Sequence, residues 1–215
     1  YRGAGKDTSR AKGTLLHYTG TNDAIQINNP VDSSTPANIA IEDMWVHCST
    51  RTAGKASIAD TGSTYLSIKG VGVSGNDYGV ILDQSELTDL DECDFELTSS
   101  SATAGVWLVN GNEHNSSASI QYTNRISIKR SQFNGTSGIG VMDDGGVVHA
   151  FEDNNYNGLS THIRSCGGTG VSIRGGEFES ATGPNIIFSN LTAGAVSKGQ
   201  SINVELGGGA TIVPA

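Results

Sequence analysis

Residues 125–133 of this chain read RISIKRSQF, and the spacing of the apolar residues in this stretch decides the fold. Ile126 and Ile128 are separated by one residue, as in a strand whose alternate side chains face a core. Phe133 follows five positions after Ile128. The same pattern recurs in NIAIEDMWV (38–46), YLSIKGVGV (65–73), LTDLDECDF (87–95), HAFEDNNY (149–156), VSIRGGEF (171–178) and, without its last member, INVELGGG (202–209). Such recurrence indicates a repeat architecture.

The distance between copies predicts the kind of repeat. We take the second apolar residue of each copy as an anchor, and the anchors are Ile41, Ile68, Leu90, Ile128, Phe151, Ile173 and Val204. Their spacing ranges from 22 residues between Ile68 and Leu90 to 38 residues between Leu90 and Ile128. A minimum of this length is typical of one coil of a parallel β-solenoid, and longer spacings fit loops inserted at turns. The sequence therefore predicts an all-β, single-stranded, right-handed parallel β-helix of about seven to eight coils.

The residue after each anchor provides an independent test of this register. Parallel strands of neighbouring coils would place these side chains in one outward column, about 4.8 Å apart. In chain order they are Glu42, Lys69, Asp91, Lys129, Glu152, Arg174 and Glu205, so that the sign of the charge alternates at every step. Like charges at this spacing would repel each other, whereas alternating charges attract. A register chosen for its apolar residues therefore also predicts favourable electrostatics.

A second set of short alternating strands follows the first set, after turns rich in Gly and Ser. These strands are KASIADT (55–61), GVILDQ (79–84), GVWLVNG (105–111), GIGVMDD (138–144), THIRSC (161–166) and NIIFSN (185–190). No linker divides the chain, so residues 1–215 are predicted to form one β-helix domain. It has an opening turn at 1–13, a first partial coil at 14–29 and stacked coils at 38–213, and we expect it to be part of a longer chain or assembly.

Composition and charge argue against several classes of partner. The formal net charge of -9 and the pI of about 4.9 would repel a phosphate backbone, so no nucleic-acid partner is predicted. The chain has no apolar run of the length that a membrane span needs, which predicts no membrane insertion. Cys48, Cys93 and Cys166 are widely spaced and odd in number, as expected for buried free thiols. No motif indicates a cofactor or a metal site.

The repeat and the opening residues together resemble a known superfamily. Residues 2–27 read RGAGKDTSRAKGTLLHYTGTNDAIQI, a Gly-containing turn, an apolar strand, a Gly-Thr turn and a DAIQI-like strand. This resembles the first coil of the pectate-lyase-like right-handed β-helices, especially those of bacteriophage tailspikes and tail fibres. The resemblance implies a homotrimer in a virion, attached to other virion proteins, that binds a bacterial surface polysaccharide and in some cases cleaves it. We therefore expect an extracellular or virion location and a role in host receptor binding.

Candidate site residues follow from the outward positions of the second strands. Aligning these strands on Ile58, Leu82, Leu108, Val141, Ile163 and Phe188 places Ile81, Asp83, Trp107, Val109, Met142, His162, Arg164 and Ile187 on their outer face, with Asp144 just beyond. An exposed Trp107 would stack on a sugar ring, and His162 with Arg164 would contact an acidic sugar. Packing against another subunit or a covering loop is the alternative for the apolar positions.

Asp83 and Asp144 are the candidate catalytic pair. Glycoside hydrolases use two carboxyl groups, and these two residues would lie two coils apart, or about 10 Å, at the outer limit for inversion of configuration. A lyase would use calcium-binding acids, and Asp91, Glu92, Asp94 and Glu96 form an acidic cluster, but this cluster is more simply interpreted as a solvated turn. The alternatives to a glycan-binding virion module are therefore a polysaccharide lyase or hydrolase and a structural or adhesive solenoid of a bacterial surface protein.

Overall fold

Three parallel β-sheets form the described part of the protein. The computed structural model describes residues 14–28, 38–97, 102–109, 123–165 and 169–188, together with the backbone of two further strands at Ile202–Glu205 and Ile212–Pro214. Every regular element in these ranges is a β-strand. Among the same residues, no helix has the length and apolarity required to cross a bilayer.

The strands are numbered along the chain and divide into sheets A, B and C. Sheet A contains β3 (Ile39–Glu42), β6 (Leu66–Lys69), β9 (Asp89–Asp91), β12 (Asn124–Lys129), β15 (Val147–Glu152), β18 (Thr169–Arg174) and β21 (Ile202–Glu205). Sheet B contains β1 (Thr14–Tyr18), β4 (Met44–Cys48), β7 (Gly72–Ser74), β10 (Asp94–Leu97), β13 (Gln132–Gly135), β16 (Asn155–Asn157) and β19 (Glu177–Glu179). Sheet C contains β2 (Ile25–Asn28), β5 (Ala56–Thr61), β8 (Tyr78–Asp83), β11 (Ala104–Val109), β14 (Ile139–Asp143), β17 (Thr161–Ser165), β20 (Ile186–Phe188) and β22 (Ile212–Pro214).

Each sheet is built from every third strand of most of the chain, and all pairings are parallel, which is the arrangement of a β-solenoid. The predicted fold class is confirmed. The solenoid has about six turns, slightly fewer than the predicted seven to eight. The predicted opening turn at 1–13 lies outside the described residues, as does the third cysteine, Cys166.

The register of sheet A confirms the anchor pattern. Each anchor lies directly opposite the next one, from the Ile41–Ile68 pair to the Ile173–Val204 pair. The column of alternating charges is in register over the same strands. One ion pair runs diagonally between strands: Lys129 Nζ lies 3.3 Å from an oxygen of Asp89, which is not a member of the column.

The residues five positions after the anchors form a stack of aromatic rings inside the solenoid. The centroids of Phe95 and Phe133 are 4.5 Å apart, those of Phe133 and Tyr156 are 4.9 Å apart, and those of Tyr156 and Phe178 are 5.1 Å apart. All three pairs are nearly parallel, because in-register coils place equivalent side chains one above another. A Cβ at Gly105 would lie only 2.7 Å from the Phe133 ring, so glycine in sheet C allows the stack to approach the facing strand.

The turns between sheets A and B use left-handed backbone and a ladder of polar groups. Glu92 and Arg130 have positive φ, and the residues that follow them, Cys93 and Ser131, form hydrogen bonds to the next coil. Ser131 Oγ accepts from the Cys93 amide at 3.1 Å, and Asn154 Oδ1 accepts from the Ser131 amide at 2.9 Å. Cys93 and Cys48 are both buried and unbridged, which confirms the prediction for these two thiols.

The predicted alignment of the second strands is wrong by two residues at several steps. Ile58 pairs with Val80 rather than Leu82, and Val141 pairs with Val106 rather than Leu108. A shift of two residues keeps the same side chains on the same face of a strand, because the side-chain period is two. The predicted division into inner and outer residues therefore survives at most positions.

Candidate functional site

The two candidate catalytic carboxylates lie in one column on the outer face of sheet C. Asp83 pairs with Val109, and Asp144 follows Asp143, which pairs with Leu108. Val109 therefore stands between the two acids, which are two coils apart, or about 10 Å along the axis, as the sequence predicted. Both are closed off from solvent, since Asp83 is 0 % and Asp144 is 3 % exposed.

Asp83 has an unusual environment for a carboxyl group. Neither of its oxygens has a hydrogen-bond partner, and both are buried. Burial raises the pKa of Asp83 to about 6, and the nearby Asp60 carboxyl adds to this rise. Asp60 itself accepts hydrogen bonds from Ser63 and Ser85. Asp83 is thus a buried group close to half-protonation near pH 6, without access to a polysaccharide.

Asp144 and Trp107, predicted to have separate roles, bind each other. The Trp107 indole N–H donates to Asp144 Oδ2 at 2.6 Å. The indole also stacks on Tyr78, with ring centroids 4.9 Å apart and planes inclined by 24°. A charge-assisted hydrogen bond stabilises a buried carboxylate, so this arrangement favours a structural role for both side chains.

The outer face of sheet C is a second apolar cluster, separate from the core inside the solenoid. It includes Ala56, Ala59, Tyr78, Ile81, Ala104 and Val109, with Trp107, Ile139 and Met142 packed against it. Ile81 and Val109 are fully buried within the single chain. Packing was the alternative to glycan contact at these apolar positions, and the structure confirms it for Ile81 and Val109.

The structure separates the predicted pair His162 and Arg164. Arg164 lies in the outer column next to Met142 and Ile187 and is half-buried. His162 is fully buried, with its ring 5.6 Å from Tyr156 and 5.7 Å from Phe178. The predicted outer-face position of His162 is therefore wrong.

Local backbone geometry accounts for the error at His162. The amides of His162 and Ile163 both donate to the Asn185 carbonyl, at 3.0 and 2.9 Å, so strict alternation fails at the start of this strand as it does at a β-bulge. The imidazole extends the aromatic stack into sheet C. Neither ring nitrogen has a hydrogen-bond partner, and burial lowers the pKa of His162 to about 4, so the ring is neutral at pH 7.

The acidic cluster of residues 91–96 is divided between two sheets. Asp91 faces outward from sheet A and accepts from Arg130 at 2.5 Å, and Glu92 lies 3.8 Å from the same guanidinium. Asp94 and Glu96 belong to β10 in sheet B. Within the described residues, no three His, Cys, Asp or Glu side chains are grouped to hold a metal ion. Asp91 and Asp94 are buried and only Glu92 is exposed, so the solvated-turn interpretation fits Glu92 alone.

A buried chain of polar side chains went unrecognised in the sequence. Asp143 accepts from His149 Nδ1 at 3.1 Å and from Ser165 Oγ at 2.7 Å, and His149 Nε2 lies 3.3 Å from both the hydroxyl and the carbonyl oxygen of Thr123. The His149 imidazole therefore bridges the Asp143 carboxylate and Thr123. Burial opposes ionisation of Asp143, but the His149 charge and these hydrogen bonds outweigh it and lower the pKa of Asp143.

This polar network is connected like the catalytic triad of a hydrolase, but a substrate could not reach it. Thr123, Asp143, His149 and Ser165 are all at most 1 % exposed. A nucleophile must reach its substrate, and burial of all four side chains prevents that here. The network instead joins neighbouring coils across the interior, where a fully satisfied buried polar network specifies one arrangement of the strands.

The outer face of sheet B is exposed at several positions in its first and last coils, whereas Trp45, Gly72, Ser74 and Asp94 in its middle coils are buried. Its outward residues form two columns. The first contains Leu15, Trp45, Gly72, Asp94, Gln132, Asn155 and Glu177. The second contains His17, His47, Ser74, Glu96, Asn134, Asn157 and Glu179. Gln132, Asn157, Glu177 and Glu179 are exposed. We call this surface the open face.

The open face has ordered polar groups at both ends. The imidazoles of His17 and His47 lie side by side, with centroids 5.4 Å apart, and Ser74 Oγ is 2.9 Å from His47 Nδ1. At the other end, Asn155 Nδ2 donates to Glu177 Oε2 at 2.7 Å. Between these ends, amide side chains on neighbouring coils present donors and acceptors at the strand spacing of about 4.8 Å. The period-two pattern of QFN, NYN and EFE could have revealed this surface.

Comparison with known proteins adds no identification. No protein family, no curated protein and no solved structure matches the chain. The fold is therefore established from the coordinates and the sequence pattern themselves: the protein is a parallel β-solenoid of about six turns.

Proposed function

We propose that the chain is a module of a virion appendage, a tailspike or tail fibre, that binds host cell-surface glycan along its open face. The observation that carries the proposal is the contrast between two outer surfaces of one solenoid. Sheet C is apolar and buried on its outer side, whereas sheet B presents exposed amides and carboxylates. A flat polar surface of this kind suits a ligand that is rich in hydroxyl groups.

The repeating geometry supports an extended ligand. Gln132 and Asn155 are paired across neighbouring strands, and so are Asn134 and Asn157. A polysaccharide that runs along the solenoid axis would meet amide groups on these two successive coils, about 4.8 Å apart. The solenoid also provides a rigid support, because its three sheets share one continuous core. The resemblance of residues 2–27 to the first coil of tailspike helices supports the virion context.

The experiment is a binding screen of the purified protein against a broad panel of bacterial surface polysaccharides. We expect binding to at least one polysaccharide, and a loss of about tenfold or more in the double variant Gln132→Ala/Asn157→Ala, because it removes two exposed hydrogen-bonding groups of the open face. Ser172→Ala, on the outer side of sheet A, is the matched control and is expected to bind as the wild type does.

Two further measurements separate this proposal from its alternatives. Sedimentation should find a trimer, as the resemblance implies for an appendage protein. A monomer that binds no polysaccharide would contradict the proposal and favour a structural or adhesive solenoid. Release of reducing or unsaturated ends from a bound polysaccharide would instead indicate a hydrolase or lyase, with the loss of activity in Asp83→Asn or Asp144→Asn testing the pair predicted from the sequence.

A further inference from the structure

The strands of sheet B have an uneven distribution of charge. They contain the carboxylates Asp94, Glu96, Glu177 and Glu179 and no Lys or Arg. The strands of sheet A, by contrast, alternate acidic and basic residues along their outer column. Chance placement of surface charges would mix the two signs, so the open face differs in kind from its neighbour on the same solenoid.

Three of the four carboxylates border the exposed amide patch, whereas Asp94 is only 4 % exposed. Asp94 and Glu96 belong to β10, Glu177 and Glu179 belong to β19, and the amides of β13 and β16 lie between them. The two acidic strands are three coils apart, or about 14 Å along the axis. A bound chain of several sugars would therefore meet carboxylates at both ends of its contact.

Two described arginines at the corners of this face are engaged in ion pairs. Arg130, at the corner with sheet A, contacts Asp91 and Glu92. At the opposite corner, Arg51 is paired with Asp77. The field over the open face is therefore negative, which agrees with the net charge of -9 of the whole chain.

From this charge pattern we infer that the open face selects glycans whose sugars are uncharged or carry free amines, and rejects glycans built from uronic or sialic acids. A sugar carboxylate placed here would meet the exposed carboxylates of Glu177 and Glu179. A sugar ammonium group would instead donate charge-assisted hydrogen bonds to the same carboxylates. The inference rests on the proposed glycan-binding function and specifies its ligand class.

The test uses matched sets of oligosaccharides on the full chain. Each set has one backbone (a glucan, a mannan or a galactan oligomer) in three forms, which are unmodified, aminated and oxidised to the uronic acid. Binding is measured at low salt and at about 0.15 M salt, where the Debye length is near 8 Å. We expect the aminated form to bind about tenfold more tightly than the oxidised form at low salt, with a smaller ratio at high salt.

Two sets of variants test whether the selectivity between aminated and oxidised sugars arises at the open face. Glu177→Gln/Glu179→Gln removes two exposed charges while keeping similar shapes, and it should reduce the ratio between aminated and oxidised forms to about twofold. Glu152→Gln, a charge removal on sheet A, is the control and should keep the wild-type ratio. Circular dichroism and thermal melting check that all variants remain folded.

The outcomes separate this inference from the function on which it rests. Equal or tighter binding of the oxidised forms would overturn the charge selectivity while leaving glycan binding intact. Binding of no form of any backbone would overturn both. A wild-type ratio in the double variant would show that the selectivity arises elsewhere on the molecule and would overturn the assignment to the open face.

Discussion

Sheets B and C have the same parallel architecture but opposite outer surfaces. In sheet C the outward column contains Ile81, which is fully buried, and Trp107 and Met142, which are half-buried. In sheet B the equivalent positions include Gln132 and Glu177, which are exposed. The difference teaches that strand alternation identifies which side chains point outward, whereas burial depends on what the rest of the chain places over them.

The largest expected effect on stability comes from placing a charge in the outer face of sheet C. Ile81→Asp would bury an unpaired carboxylate at a fully buried position, and we expect it to lower the free energy of unfolding by about 4 kcal/mol or more. Gln132→Asp places the same group on the open face and should change stability by less than about 0.5 kcal/mol. Urea denaturation measures both, and similar losses in the two variants would refute the contrast between the faces.

The bond between Trp107 and Asp144 is expected to have the next largest effect. Trp107→Phe keeps a ring over Tyr78 but leaves the Asp144 carboxylate without its indole donor, at a cost of about 2 kcal/mol in unfolding free energy. Adding Asp144→Asn to this variant should recover part of that loss, because a neutral amide is less costly to bury. A double-mutant cycle with no coupling between the two positions would argue against the bond.

Asp83 should make the free energy of unfolding depend on pH. Its folded-state pKa, about 6, lies above its ordinary value, so the folded state holds the proton more tightly than the unfolded state does. The stabilisation is complete below the ordinary pKa and is lost as the pH rises through 6. Between pH 5 and pH 8 the wild type should lose about 1.4 kcal/mol more unfolding free energy than Asp83→Asn.

Urea denaturation at several pH values measures this difference. Glu152→Gln, which removes a carboxylate from the outer side of sheet A, is the control and should follow the wild-type pH dependence closely. If Asp83→Asn retained the full wild-type slope between pH 5 and pH 8, another group would be responsible for it, and the buried, unpaired state of Asp83 would be contradicted.

The smallest expected effect belongs to the open face. Gln132→Ala and Asn157→Ala should each change the unfolding free energy by less than about 0.5 kcal/mol, because both side chains are exposed. The same substitutions should weaken glycan binding. Thermal melting and a binding assay on the same samples measure the two effects, and a large loss of stability would mean that these residues pack rather than bind.

Much of the fold could be predicted because two independent patterns agree in sheets A and B. The anchors from Ile41 to Val204 repeat at coil-like intervals, and the residues after them alternate in charge, so that only one register satisfies both. The strands of sheet C lack such a second pattern. Ile58 could pair with Val80 or Leu82 without changing the face of any side chain, and the sequence does not distinguish the two.

The candidate site was less predictable than the fold. Trp107 and Asp144 were correctly expected near the outer side of sheet C, but their contact depends on the stacking of β11 on β14, which brings residues 37 positions apart within hydrogen-bond distance. His162 was misplaced because an irregular strand start turned its ring toward Tyr156. The open face was not predicted, because the exposure of an outward amide depends on what the rest of the chain places over it.

The sequence by itself determined the parallel solenoid, the register of sheets A and B and the alternation of charges, because each depends on spacing along one chain. The tertiary structure alone decided that Asp83 is buried without a partner, that Trp107 binds Asp144, and that the open surface is the outer side of sheet B. These features depend on which segments meet in space. Alternation is a local property of a strand, whereas solvent access and charge environment are set by every neighbour that the fold brings near.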